Sequence, residues 1–76
     1  MKTVTVNLNS IDKVRSFMHA INQYDYDFVL VSGHYSVDAK SIMGVFTLDL
    51  SKTVQLNIHS RNHGEQIASA LSAYTC

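Results

Sequence analysis

Apolar residues recur with two different periods along this chain, and the order in which those periods alternate most limits what it can fold into. Thr3 to Leu8 alternates, with Val4, Val6 and Leu8 on one face and Thr3, Thr5 and Asn7 on the other, the two-residue period of a half-buried strand. Asn9-Ser10 then offers an N-cap, and Ile11, Val14, Phe17, Met18 and Ile21 recur at three- and four-residue steps. A helix is therefore predicted from Ile11 to Asn22, with Asp12, Arg15 and His19 off its apolar stripe. Asp27 to Val31 is rich in β-formers, Ser32-Gly33-His34 is a tight turn signal, and Tyr35-Ser36-Val37 returns antiparallel, which predicts a hairpin.

Ser41 caps a short predicted helix over Ile42 to Leu48, and Thr53 to His59 alternates again with Val54, Leu56 and Ile58 inward. Asn62-His63-Gly64-Glu65 has capping-box spacing with asparagine as the cap, followed by a helical stripe of Ile67, Ala68, Ala70, Leu71 and Tyr74. The order is βαββαβα. Strands with one apolar face and helices with one apolar stripe satisfy each other as two layers, so the expected class is α+β, a sheet carrying its helices on a single side. The opposite face, with Thr5, Asn7, Gln55 and Asn57, is left to water.

Composition sets the scale of that arrangement. At 76 residues and 46% hydrophobic content, with no repeat or low-complexity tract, residues 1–76 read as one small domain near the lower size for a metal-free core. There is no proline, so chain breaks fall on Gly33, Gly44, Gly64 and polar clusters. Six basic and six acidic side chains cancel, so no overall field draws the chain to nucleic acid or an anionic membrane, and the expected partners are proteins recognised by local shape and charge. Cys76 is the lone cysteine, which excludes an internal disulfide framework and fits a reducing, cytoplasmic setting. No apolar run approaches the roughly 20 residues of a membrane span, and Met1-Lys2 leads into an alternating strand rather than a signal peptide.

Two segments, Gln23-Tyr-Asp-Tyr-Asp-Phe-Val-Leu30 and Ser36-Val-Asp-Ala-Lys-Ser-Ile-Met-Gly-Val45, followed by a strand and a helix of matching length, resemble the HPr / Crh family, the small phosphocarriers of the bacterial sugar phosphotransferase system and their regulatory paralogues. The resemblance covers most of the chain. It implies an open-faced two-layer sandwich, a four-stranded antiparallel sheet with three helices on one face. It also implies that Ser41 is the regulatory phosphorylation site and that Ile42, Met43 and Phe46 form a partner-docking face. Lys40, beside them, reads from the residues as a solvated strand end, or else as a cation that pairs with an acidic partner. The partners so implied are an HPr-kinase-like enzyme, a transcriptional regulator or other phosphotransferase-system components.

The resemblance breaks at the first helix. The family's carrier histidine lies in a Gly-Ile-His-Ala-Arg-Pro pattern, where helix-end amides and an arginine stabilise a transferred phosphoryl group. Here the chain reads Leu8-Asn-Ser-Ile-Asp-Lys13. An ungapped register puts Ser10 at the histidine and Asp12 at the arginine; a shifted one puts Asp12 at the histidine. Serine lacks the nitrogen that makes a labile phosphoramidate, and an acid repels incoming phosphate, so histidine phosphocarrier activity is expected to be lost and the chain is not expected to be an enzyme. Ser10 reads as a helix cap. His19, His34, His59 and His63 all lie elsewhere, and His34, His59 and His63 without a matching thiol make a poor metal set, so neither metal nor cofactor is expected.

Residue pattern alone leaves two readings of the central segment. Ser41 is a plain cap or a switch, and helical spacing buries two of Ile42, Met43 and Phe46 unless they serve a partner. Consecutive Ile42-Met43 cannot both point into a core, and Met43 is the expected exposed anchor. The expected function is a regulatory protein-binding module. The alternatives are a phosphocarrier with a displaced acceptor and a structural or oligomerising unit.

Overall fold

In the computed structural model, which describes residues 2–75, the chain forms β1 (Lys2–Val6), α1 (Ile11–Ile21), β2 (Asp27–Ser32), β3 (Tyr35–Asp38), α2 (Ile42–Val45), β4 (Val54–His59) and α3 (Gly64–Ala70). Met1 and the thiol residue Cys76 lie outside the described residues. The strands make one sheet in the order β1-β4-β2-β3, with every pair antiparallel. The element order expected from the alternating periods, and the two-layer arrangement with three helices, are what the chain adopts.

Register fixes which face is wet. Val4, Leu56, Leu30 and Val37 stand in one row across the four strands, and Ile58 pairs with Phe28 in the next row on that face. The intervening rows carry Thr3, Asn57, Val29 and Asp38, then Thr5, Gln55, Val31 and Ser36. Because side chains alternate across a strand, the first set points into the core and the second out. Phe28, Leu30, Leu56 and Ile58 are buried together with Val14, Phe17, Met18 and Ile21 of α1, Val45 of α2 and Ile67 of α3. On the outer face, Thr3 Oγ1 donates to Asn57 Oδ1 at 2.8 Å, a cross-strand polar pair that water reaches.

The hairpin turns at Gly33-His34, with Ser32 opposite Tyr35. Gly33 has φ +61°, and no other described residue has a positive φ outside glycine, the pattern of a two-residue turn with glycine first.

Several expectations are corrected by the packing. Ile11 does not join the apolar stripe of α1 but is 61% exposed, since the buried positions of that helix begin only at Val14. The capping box at Asn62 does not form. His63 occupies the cap position of α3 without a side-chain cap bond, while Ser60, which is buried, accepts the His63 N–H through Oγ at 3.1 Å. Glu65, the other half of the expected box, instead accepts Lys2 Nζ at 2.8 Å. Ala70 is exposed, and α3 ends there. Tyr74 lies beyond the helix, in a segment held by i→i+3 bonds such as Tyr74 N–H to Leu71 C=O at 3.0 Å. Its carbonyl accepts Asn7 N–H at 2.7 Å and its ring meets Phe17 edge-on at 5.5 Å, so the chain end is sewn to β1 and α1.

Gly64 lies tight against β1: a Cβ there would lie 2.9 Å from Lys2 Cβ. Gly64→Ala should therefore lower stability by about 1 kcal/mol or more, since an overpacked contact outweighs the helix-propensity gain. Urea unfolding checks this, and an unchanged or raised midpoint would show that β1 gives way freely.

Candidate functional site

The segment from Ala39 to Leu48 is anchored at three points. Ala39 is fully buried and donates its N–H to the Phe28 carbonyl at 2.9 Å; Val45 is fully buried; Leu48 is nearly so. Between these anchors Ser41 has extended backbone angles (φ −97°, ψ 110°) and caps α2. Its Oγ accepts Gly44 N–H at 3.3 Å, and its carbonyl accepts Val45 N–H at 2.9 Å. After Phe46 the turn tightens, with Thr47 N–H to Gly44 C=O and Leu48 N–H to Val45 C=O, both at 3.1 Å, and Thr47 Oγ1 donating to the same Gly44 carbonyl at 2.6 Å.

That anchoring decides the orientation of the remaining side chains. At 100° per residue, Val45 and Leu48 lie on one side of the turn, and Ile42, Phe46 and Met43 fall within a single arc on the other. Ile42 is 48% exposed, Phe46 47% and Met43 80%. Pattern alone would bury two of the three. Instead none is buried, because α2 is too short to contact the core through more than the Val45 side. Gly44 faces β3, with its missing Cβ position 3.4 Å from Val37 Cβ and from Ser41 Oγ.

Lys40 differs from its expected place as a solvated strand end. Its Nζ donates to the Tyr24 carbonyl at 2.6 Å and lies 5.5 Å from the centroid of the Phe28 ring, and its N–H donates to Asp38 Oδ1 at 2.9 Å. The ammonium is thus turned back onto the α1–β2 loop. No sequence signal could have given this, because Tyr24 lies 16 positions away. Past α2, Asp49 is held below the usual carboxylate range by the hydroxyl of Ser51, with the Ser51 N–H adding to it. It presents a fixed negative charge near the end of the turn.

At the start of α1, Ser10 is extended (φ −142°, ψ 155°), and its Oγ accepts Lys13 N–H at 3.2 Å while its carbonyl accepts Val14 N–H at 3.1 Å. Asp12 occupies the first turn, where an acid complements the helix dipole. The chain's first histidine, His19, is in the last turn of this helix. His34 is exposed in the hairpin turn and His59 is exposed on β4. His63 Nδ1 is 2.9 Å from Tyr26 Oη, with the two rings stacked at 6.0 Å. Sequence spacing gave no hint of that pairing, which spans 37 positions. Among the described residues no group of three His, Cys, Asp or Glu side chains is placed to hold a metal ion, and no helix is long and apolar enough to cross a membrane.

Two solved structures share this architecture. HPr-C-His from Thermoanaerobacter tengcongensis superposes with a TM-score of 0.78 at 24% identity, over 96% of this chain and 89% of that one. The phosphocarrier protein HPr from Bacillus anthracis superposes with a TM-score of 0.72, again at 24% identity, over 99% of this chain and 94% of that one. At such identity the likeness establishes the fold. No curated protein matches the sequence significantly. The family model PTS-HPr, described as the PTS HPr component phosphorylation site, matches residues 12–75, the greater part of the chain. With both segments of the resemblance inside that match, the chain belongs to the HPr family.

Proposed function

We propose that this HPr-family chain acts as a regulatory protein-binding module through the outward face of α2, that phosphorylation of Ser41 switches its choice of partner, and that it does not carry phosphate on histidine. The observation that carries the reading is the joint exposure of Ile42, Met43 and Phe46 immediately after the Ser41 hydroxyl. Three large apolar side chains on one small arc are costly to leave in water, and their grouping is typical of a contact surface rather than of scattered exposure. Met43 suits such a surface because its flexible thioether adapts to more than one partner.

A phosphate on Ser41 would add about −1.5 to −2 charge at neutral pH beside this patch. It would repel an acidic surface and recruit one bearing arginine, so one apolar face serves two partners. The partners that fit are a kinase resembling the HPr kinase, a transcriptional regulator or other phosphotransferase-system components, met in the cytoplasm of a bacterium. Lys40 contributes through its place beside Ser41, although its ammonium is engaged with Tyr24.

Three features support the absence of a histidine carrier. Ser10, at the position of the family histidine, spends its hydroxyl on Lys13 N–H. Asp12 adds a like charge where phosphate would arrive. The family match itself opens at Asp12, which leaves Leu8 to Ile11 of the Leu8–Lys13 stretch, Ser10 included, outside it.

Incubation with an HPr-type kinase and ATP should add a single phosphate at Ser41, read by mass spectrometry and absent from Ser41→Ala; an unmodified chain would remove the switch. The same Ser41→Ala change should cost about 0.5–1 kcal/mol of stability through the lost cap. Met43→Asp should leave the unfolding free energy from urea titration within about 0.5 kcal/mol of the parent's, as a surface change does, while weakening partner binding. Light scattering should give one mass for both proteins. A lower mass for the variant would assign Met43 to self-association instead.

A further inference from the structure

The loop between β4 and α3 builds a second feature that the α2 face does not use. A cavity of about 300 Å³ is lined by Tyr26, His59, Ser60, Arg61, Asn62 and His63. No carboxylate is among these residues, and each carries a side chain able to donate a hydrogen bond. Among the described residues no carboxylate stands within ion-pair distance of Arg61, and Glu65, the nearest acid along the loop, is taken by Lys2 at 2.8 Å.

Part of the lining is also fixed in place. Buried Ser60 holds the loop by accepting His63 N–H, and Tyr26 Oη holds the imidazole through Nδ1, leaving Nε2 as its free nitrogen. The Tyr26–His63 ring pair is shared with an adjoining cavity of about 210 Å³ lined by Tyr24, Gln66 and Ile67 as well. The compartment that holds Arg61, His59 and Asn62 therefore adjoins one that holds Tyr24, Gln66 and Ile67, with the stacked ring pair common to both.

We propose that these joined cavities bind a small phosphomonoester, its dianionic head among Arg61, His59, Asn62 and His63 and its organic part against Tyr24, Tyr26 and Ile67. A guanidinium beside neutral donors suits a phosphate oxygen cluster better than a neutral ligand. Two acids oppose an anion here: Asp27, the sheet partner of His59, lines a neighbouring groove with it, and Glu65, paired with Lys2, lines another with Arg61 and Asn62.

The test is a titration of the full chain with phenyl phosphate at neutral pH and constant ionic strength, followed by amide and side-chain NMR shifts, with phenol as the uncharged control. Saturable shifts should be confined to Tyr24, Tyr26, residues 59–63, Gln66 and Ile67. Arg61→Gln should weaken binding about fivefold or more through loss of a charged hydrogen-bond donor. Asp27→Asn should tighten it, and Met43→Asp should leave it unchanged. Equal shifts with phenol, shifts spread over Lys13, Arg15 and Lys52, or parental affinity in folded Arg61→Gln would overturn the proposal. Asp27→Asn keeps it open to refutation should Arg61→Gln fail to fold: affinity equal to the parent's would count against the site.

Discussion

Strand β4 is hydrogen-bonded on both sides, to β1 and to β2, and everything else in the molecule depends on that double pairing. It makes the last strand of the chain the middle of the sheet, so β1 is not secured until β4 has been formed and inserted beside it. The alternation Val54, Leu56, Ile58 then has to agree with Val4 and Val6 on one side and Phe28 and Leu30 on the other. A slip of one residue would turn every one of these side chains to water. The register is thereby specified by three strands at once, and the helices have only one apolar face to cover.

From that frame the site follows as a consequence of length. α1 runs for 11 residues and meets the core at Val14, Phe17, Met18 and Ile21, whereas α2 has four residues and buries only Val45. A helix so short, pinned by Ala39 before it and Leu48 after it, has one inward side. Its other apolar residues have nowhere to go but out. The same economy appears at the two capping serines. Ser10 and Ser41 both satisfy an amide three residues ahead, yet Ser10 is followed by Ile11 and Asp12, while Ser41 is followed by two apolar residues with no acid in the turn. The proposed division of labour, a silent first helix and a working second one, rests on that difference.

Much of the fold was legible because it is written in local periods. The strands, the hairpin at Gly33 and the stripe of α1 each declare themselves within a dozen residues. What escaped involved partners distant in sequence. Glu65 has the right spacing for a capping box with Asn62, but Lys2 takes it; Tyr74 continues the apolar stripe of α3, but Phe17 and Asn7 hold it outside the helix. Lys40 looked solvated until the Tyr24 carbonyl and the Phe28 ring came within reach. Ile42 and Phe46 were misplaced by pattern, since a two-turn reading of the helix buries both and leaves Met43 out, whereas the observed single turn buries neither.

On the proposed function, the chain keeps the recognition face of its family without the carrier chemistry. The most direct test is incubation with phosphoenolpyruvate and the first enzyme of the phosphotransferase system, followed by analysis for acid-labile phosphate. No phosphohistidine should form. Stoichiometric acid-labile label on His19, His34, His59 or His63 would contradict it.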